Sequence, residues 1–149
     1  MKIIIASGFF NPIHRGHISY LEEAKKLGDK LFVIVNNDLQ VKIKGSKEFM
    51  DENERLFIVK SLRVVDDVML SSSKNYNISS DFPTIRKMFP HDELVFAKGG
   101  DRDEKDAANP ESPLYKDIQI CNKLGIKIAF NVGEDKIQSS SKLLGKMHN

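Results

Sequence analysis

The feature that most constrains the fold of this chain is a regular alternation of short apolar runs with amphipathic segments. The first run, residues 3–6, is continuous and β-branched, which is typical of a strand buried on both faces of a parallel sheet. Residues 18–27 then carry apolar side chains at three- or four-residue spacing, and Gly28 follows as a helix stop. The chain therefore begins with a strand and an amphipathic helix.

The same alternation continues along the rest of the chain. Further strands are predicted at residues 31–35, 64–70, 94–97 and 126–130, and helices after Asp51, near residues 84–88, at residues 114–124 and at residues 140–146. We find no repeat and no linker, so we expect one domain over residues 1–149. The order predicts the α/β class, as a Rossmann-like, doubly wound parallel sheet.

Composition excludes several function classes. The net charge is only +2, and basic residues are interleaved with acidic ones, so we expect no nucleic-acid partner. A single cysteine, Cys121, cannot form an internal disulfide and fits a reducing compartment. The apolar runs are far shorter than the roughly 20 residues of a membrane span, and the N-terminal run lacks the core of a signal peptide. We therefore expect a cytoplasmic protein with no membrane contact.

The ten residues that follow the first predicted strand, GFFNPIHRGH, combine glycines with two histidines. They lie where a strand ends and a helix begins, and ligands bind at the carboxyl ends of strands in an open parallel sheet. Helix-start N–H groups favour an anion, and Gly8 lets the main chain approach it. His14 and His17 are three residues apart and can reach one phosphate, while Gly16 leaves room between them.

Two other interpretations of this segment are open. The histidines could be structural or part of a metal site, but an H-x-G-H string at a strand-to-helix junction favours a phosphate site. The glycines could belong to a dinucleotide site, but Gly8 and Gly16 do not follow the G-x-G-x-x-G pattern.

The segment GFFNPIHRGH resembles the G-x-F-(D/N)-x-x-H-x-G-H signature of the cytidylyltransferase-like nucleotidyltransferases. Three later segments are similar to family elements in the same order. They are Glu54-Arg55, the stretch LRVVD that contains Arg63, and IQSSS near the C-terminus. The resemblance thus covers the chain from the first strand to the last predicted helix.

Within this superfamily, ISYLEEAKKLGDKLFVIVNND and AKGGD most resemble heptose-1-phosphate adenylyltransferase domains. Glycerol-3-phosphate cytidylyltransferases are the next most similar, although their R-T-x-G-I-S-T-T element is absent. Asn11 stands where many relatives carry Asp, and Asn11-Pro12 matches the F-N-P form of nicotinamide mononucleotide adenylyltransferases. The acceptor is therefore open between a phosphorylated sugar or polyol and a cofactor precursor.

The resemblance implies in-line attack of an acceptor phosphate on the α-phosphorus of an NTP, with Mg²⁺ bound to the NTP. It implies that His14 and His17 contact the α-phosphate and the bridging oxygen. A family lysine near the second strand contacts the triphosphate, and either Lys42 or Lys44, in a predicted loop, could do so here; either could equally be a surface lysine.

The resemblance also implies further nucleotide-binding residues, each with a simpler structural alternative. Ser139, Ser140 and Ser141 could hold the β- and γ-phosphates or cap the last helix. Arg63 could reach the nucleotide or pair with Asp66. The remaining nucleotide-binding predictions are Gly8, Phe9, Phe10, Asn11, Gly16, Lys98, Gly99 and Asp101.

The leading function hypothesis is transfer of a nucleoside monophosphate, ATP being favoured over CTP, to a phosphorylated sugar or polyol such as heptose 1-phosphate. The alternatives are glycerol-3-phosphate cytidylyltransferase, a cofactor-precursor adenylyltransferase, and a nucleotide-binding module without turnover. The expected partners are an NTP, a phosphorylated small-molecule acceptor and a second copy of the chain in a homodimer.

Overall fold

A computed structural model of the chain describes residues 1–99 and 108–133. Its sheet has five strands, and every pair of neighbours is parallel. The order across the sheet is β3-β2-β1-β4-β5. The strands are β1 (Lys2–Gly8), β2 (Lys30–Val35), β3 (Asp67–Leu70), β4 (Glu93–Gly99) and β5 (Lys127–Val132). The predicted Rossmann-like, doubly wound parallel sheet is confirmed.

Helices connect the strands and cover the sheet. They are α1 (Arg15–Lys25), α2 (Asp38–Ile43), α3 (Glu52–Lys60), α4 (Asp81–Met88) and α5 (Pro113–Lys123). Among the helices that the structure describes, none is long and apolar enough to cross a membrane.

Both faces of the central strand are buried, which explains its continuous β-branched sequence. Ile3 and Ile5 pack into a cluster with residues of α4 and α5, whereas Ile4 and Ala6 pack into a second cluster with residues of α1 and α3. The helix residues of the first cluster are Phe82, Ile85, Leu114, Ile118 and Cys121, and those of the second are Leu21, Ala24 and Val59.

The third strand begins later than the sequence predicts. The prediction starts at Val64, whereas β3 starts at Asp67. The N–H of Val65 donates to Leu62 O at 3.2 Å, and the Asp66 carboxylate accepts from the N–H of Leu31 at 2.8 Å. The first bond closes a turn and the second ties the end of that turn to β2. The β-branched pair at residues 64–65 therefore does not join the sheet.

Candidate active site

The predicted motif lies at the point where the strand order reverses. β1 is the central strand, and the connections after β1 and β4 leave the sheet side by side. Tyr20 on α1 spans this crevice, because its hydroxyl accepts from the N–H of Ser7 at 3.3 Å and donates to Ala97 O. Such a reversal forms a crevice in which doubly wound sheets bind ligands.

His14 and His17 form a fixed pair at the start of α1. His14 is the N-cap residue, and its Nδ1 accepts from the N–H of Gly16 at 3.1 Å. Nδ1 of His17 accepts from the N–H of His14 at 3.2 Å, which completes a capping box made of two histidines. The rings are stacked, with centroids 3.8 Å apart and planes 23° apart.

This capping arrangement sets the chemistry that the two rings can perform. A ring nitrogen that accepts a backbone N–H bears no proton, so in the neutral imidazole the proton is on Nε2. Each histidine can therefore carry its proton on Nε2 without being charged, and Nε2 of His14 is buried. Two such donors beside helix-start N–H groups suit a phosphate on which negative charge develops.

The ring of Phe10 packs against one member of the histidine pair, His17. This ring is 1% exposed and meets the His17 ring edge-on, with 5.0 Å between centroids. A Cβ at Gly8 would lie 2.8 Å from Cζ of Phe10, so the missing side chain of Gly8 makes room for this ring. The Phe10 side chain thus packs against His17, and the nucleotide contact expected at this residue stays a prediction.

Asn11 is also turned inward. Its amide donates to Lys47 O at 3.0 Å, and its Oδ1 accepts from the N–H groups of Phe49 at 2.8 Å and Met50 at 3.1 Å. The side chain is 3% exposed. This side chain therefore anchors residues 47–50 beside the motif, and the nucleotide contact expected at Asn11 stays a prediction.

Arg55, which the sequence indicates only as part of a family pair, organises the edge of the sheet that carries the motif. It is 0% exposed, and its guanidinium binds four acceptors. It donates to the backbone oxygens of Phe9 (2.7 Å), Asn36 (2.6 Å) and Met50 (3.0 Å) and to Asp38 Oδ1 (2.8 Å). One buried charge thus joins the ends of β1 and β2 to the start of α2. The signal available in the sequence was its place in a helix start, four residues after Asp51.

The structure corrects the predicted loop around Lys42 and Lys44. Lys42 lies within α2 and Lys44 is the C-cap residue of that helix. The ammonium group of Lys44 lies 4.5 Å from the ring centroid of Phe9, so Lys44 is brought to the motif. Lys42 is exposed on α2.

Lys98 and Gly99 end β4 on the other side of the crevice. Lys98 Nζ lies 5.1 Å from the centroid of the Phe96 ring. Asp117 on α5 is 5% exposed and accepts from the N–H of Ile78 at 3.1 Å. Burial raises the pKa of Asp117 to about 7, and the nearby charge of Lys98 offsets this effect only in part.

Comparison with known proteins decides the family. The family model described as cytidylyltransferase-like matches residues 5–142. The chain belongs to the cytidylyltransferase-like family. The resemblance found in GFFNPIHRGH is thereby confirmed.

Relatives in this nucleotidyltransferase family carry different names. FAD synthase from Methanocella paludicola is 43% identical over 90 residues, which are 60% of this chain and 60% of the relative. Bifunctional protein HldE from Aliarcobacter butzleri is 35% identical over 112 residues, which are 74% of this chain and 22% of that protein. The chain spans about 60% of the length of the first FAD synthases that it matches.

A solved structure shows the same architecture. The crystal structure of the lipopolysaccharide core biosynthesis protein from Thermoplasma volcanium superposes with a TM-score of 0.65 at 32% identity. The match covers 91% of this chain and 99% of that chain.

Arg63 is not brought to the site. It is exposed in the turn that precedes β3, at the amino edge of the sheet, whereas the cytidylyltransferase-like motif lies at the carboxyl edge. The alternative pairing with Asp66 is replaced by an ion pair between Asp66 and Lys25. The structure thus does not place Arg63 beside the motif, and its nucleotide contact stays a prediction.

Some predicted family positions lie outside the described residues. They are Asp101, Ser139, Ser140 and Ser141, together with the helix at residues 140–146. Within residues 1–99 and 108–133, no group of three His, Cys, Asp or Glu side chains could hold a metal ion.

Proposed function

We propose that this chain transfers AMP from ATP to FMN, which forms FAD and releases pyrophosphate. The observation that carries the proposal is the 43% identity to an FAD synthase over 90 residues. FAD is FMN joined to AMP through a pyrophosphate bond, so its synthesis from ATP is a nucleotidyl transfer. The cofactor-precursor alternative of the sequence analysis thus moves ahead of the sugar phosphate.

The site is suited to this chemistry because its donors are fixed before substrate binds. A phosphate oxygen of FMN attacks the α-phosphorus of ATP, and the bond to the bridging oxygen breaks as pyrophosphate leaves with the electron pair. The Nε2–H groups of His14 and His17 donate to the α-phosphate and the bridging oxygen. The ammonium of Lys44 attracts the anionic substrates.

The acceptor brings its own nucleophile. A phosphate monoester has a second pKa of about 6 and is an anion near neutral pH, so no general base is required. Mg²⁺ would enter bound to the triphosphate, because it is commonly held by substrate phosphates.

A second candidate keeps ATP and replaces FMN with heptose 1-phosphate. It is supported by the 35% identity to bifunctional protein HldE and by the resemblance of residues 18–38 to heptose-1-phosphate adenylyltransferase domains. Glycerol 3-phosphate with CTP is a third possibility that rests on the resemblance of the motif alone.

A substrate screen tests the proposal. ATP and CTP are each combined with FMN, riboflavin, heptose 1-phosphate and glycerol 3-phosphate, and pyrophosphate release is followed. We expect turnover with ATP and FMN, and none with riboflavin, because riboflavin lacks the phosphate nucleophile. Turnover of riboflavin would contradict attack by the acceptor phosphate. Turnover of only the sugar or polyol phosphates would contradict FMN as the acceptor.

A further inference from the structure

Two aromatic rings and a cation meet beside the motif. The Tyr76 ring, in the connection between β3 and α4, lies 5.9 Å from the Phe9 ring, centroid to centroid, at an interplanar angle of 41°. The Lys44 ammonium lies 4.5 Å from the centroid of Phe9. We call the two rings the Phe9–Tyr76 surface. Both rings are only partly buried, although aromatic side chains contribute most to stability when buried in a core.

The backbone that presents Tyr76 is held on both sides. Gln40 is 0% exposed, and its Nε2 donates to Asn75 O at 3.0 Å and Asn77 O at 3.2 Å, the two neighbours of Tyr76. The next N–H group, that of Ile78, donates to Asp117 at 3.1 Å. Hydrogen bonds thus hold residues 75–78 against α2 and α5.

The same helix fixes the cation and the tyrosine. Gln40 lies within α2, and Lys44 is the C-cap residue of that helix. The backbone positions of Lys44 and Tyr76 are therefore both tied to α2. Groups fixed before binding lose little conformational entropy when a ligand arrives.

We infer that the Phe9–Tyr76 surface seats the planar ring system of the acceptor, and that Lys44 attracts its anionic group. An electron-rich phenol ring stacks well on an electron-poor heterocycle such as a flavin, whereas a sugar phosphate has no flat aromatic face to stack. The inference rests on the proposed function and deepens it. It assigns Tyr76 as a specificity-determining residue for a phosphorylated planar heterocycle.

Binding of FMN to three variants tests the inference. Tyr76→Leu removes the ring, Tyr76→Phe keeps a ring that is a much poorer electron donor, and Tyr115→Leu is the matched control on α5. FMN affinity and fluorescence quenching are measured by titration, and KM values for FMN and ATP by FAD formation. Base-to-aromatic stacking typically contributes about tenfold or more to affinity.

We expect Tyr76→Leu to weaken FMN binding about tenfold with an unchanged KM for ATP, and Tyr115→Leu to behave as the wild type. Tyr76→Phe should recover most of the affinity but quench flavin fluorescence less, because quenching requires electron transfer from the ring. A purely structural role of Tyr76 would not produce that difference. Should Tyr76→Leu fail to fold, the difference in flavin fluorescence quenching between the wild type and Tyr76→Phe still tests whether the Tyr76 ring stacks on FMN.

The contrary results separate this inference from the proposed function. Unchanged FMN affinity in Tyr76→Leu, with FAD still formed, would overturn the seating of the ring and leave the function intact. An equal loss for ribitol 5-phosphate, which lacks the ring, would show that Tyr76 acts through the loop and would also overturn it. A wild-type chain that neither binds nor adenylylates FMN would refute both.

Discussion

At the scale of single residues, the buried guanidinium of Arg55 joins several segments of the chain. It satisfies three backbone oxygens and the Asp38 carboxylate at the edge that carries the motif. Breaking a buried charge pair by removing one partner typically costs about 3 to 5 kcal/mol, because the remaining polar groups stay desolvated.

We predict that Arg55→Met lowers the free energy of unfolding by about 3 kcal/mol or more, measured by urea denaturation. Arg55→Lys should recover only part of this, because one ammonium cannot span acceptors arranged for a planar fork. The control is Arg63→Met, which changes an exposed side chain and should stay within about 0.5 kcal/mol of the wild type. Equal stability of Arg55→Met and Arg63→Met would refute the organising role of Arg55.

The motif shows what sequence predicts well at this scale and what it does not. The identities of His14 and His17 and their place at a strand-to-helix junction follow from spacing. The inward orientation of the Phe10 and Asn11 side chains does not follow from spacing. Phe10 depends on the space that Gly8 leaves, and Asn11 depends on residues 47–50, which are distant in sequence. Arginine is almost never fully buried, so the burial of Arg55 could not be predicted either.

At the scale of elements, α2 shows why a short helix escapes pattern analysis. It has only six residues, DLQVKI, so it completes less than two turns and displays no helical periodicity. Its stability comes from a capping box between Asn37 and Gln40 and from contacts outside the helix. The Asn37 amide donates to Ser71 O and Ser73 O, each at 2.9 Å.

We predict that Asn37→Ala lowers the free energy of unfolding by about 2 kcal/mol, since it removes both a helix cap and two bonds to the β3–α4 connection. The control is Asn122→Ala on α5, where the side chain is exposed and a change within about 0.5 kcal/mol is expected. Urea denaturation of both variants is the measurement. A loss no larger than that of the control would mean that α2 does not depend on this cap.

At the scale of the whole molecule, the continuous apolar runs predicted the architecture because a strand buried on both faces needs helices on both sides. The order of the strands in the sheet is harder to predict from the sequence. It depends on which strand edges pair across long separations, such as β1 with β4. The predicted homodimer stays a prediction.

Stability of the whole chain should depend on pH through Asp117. Its pKa is about 7 in the folded protein, against about 3.9 for an exposed aspartate. Between these values the folded state keeps a proton that the unfolded chain releases, so the free energy of unfolding falls as pH rises from about 4 to about 7 and levels off above that.

We predict that Asp117→Asn removes this contribution, which has a slope of up to about 1.4 kcal/mol per pH unit. An amide oxygen can still accept from the N–H of Ile78, and the other titrating groups are shared by both proteins. Urea denaturation of wild type and variant from about pH 4 to 8 gives the difference directly. A difference that does not change with pH would contradict a protonated Asp117 in the folded state.

We propose that His14 and His17 promote transfer of AMP from ATP to a phosphorylated acceptor. The most direct test uses ATP labelled at the α-phosphorus, with FMN, in wild type, His14→Ala, His17→Ala and the control His91→Ala, an exposed histidine near the start of β4. We expect label in FAD and none in pyrophosphate, and we expect kcat of the first two variants to fall by about 100-fold or more. His91→Ala should match the wild type. Transfer at the wild-type rate by correctly folded His14→Ala and His17→Ala would show that the two histidines do not promote the reaction.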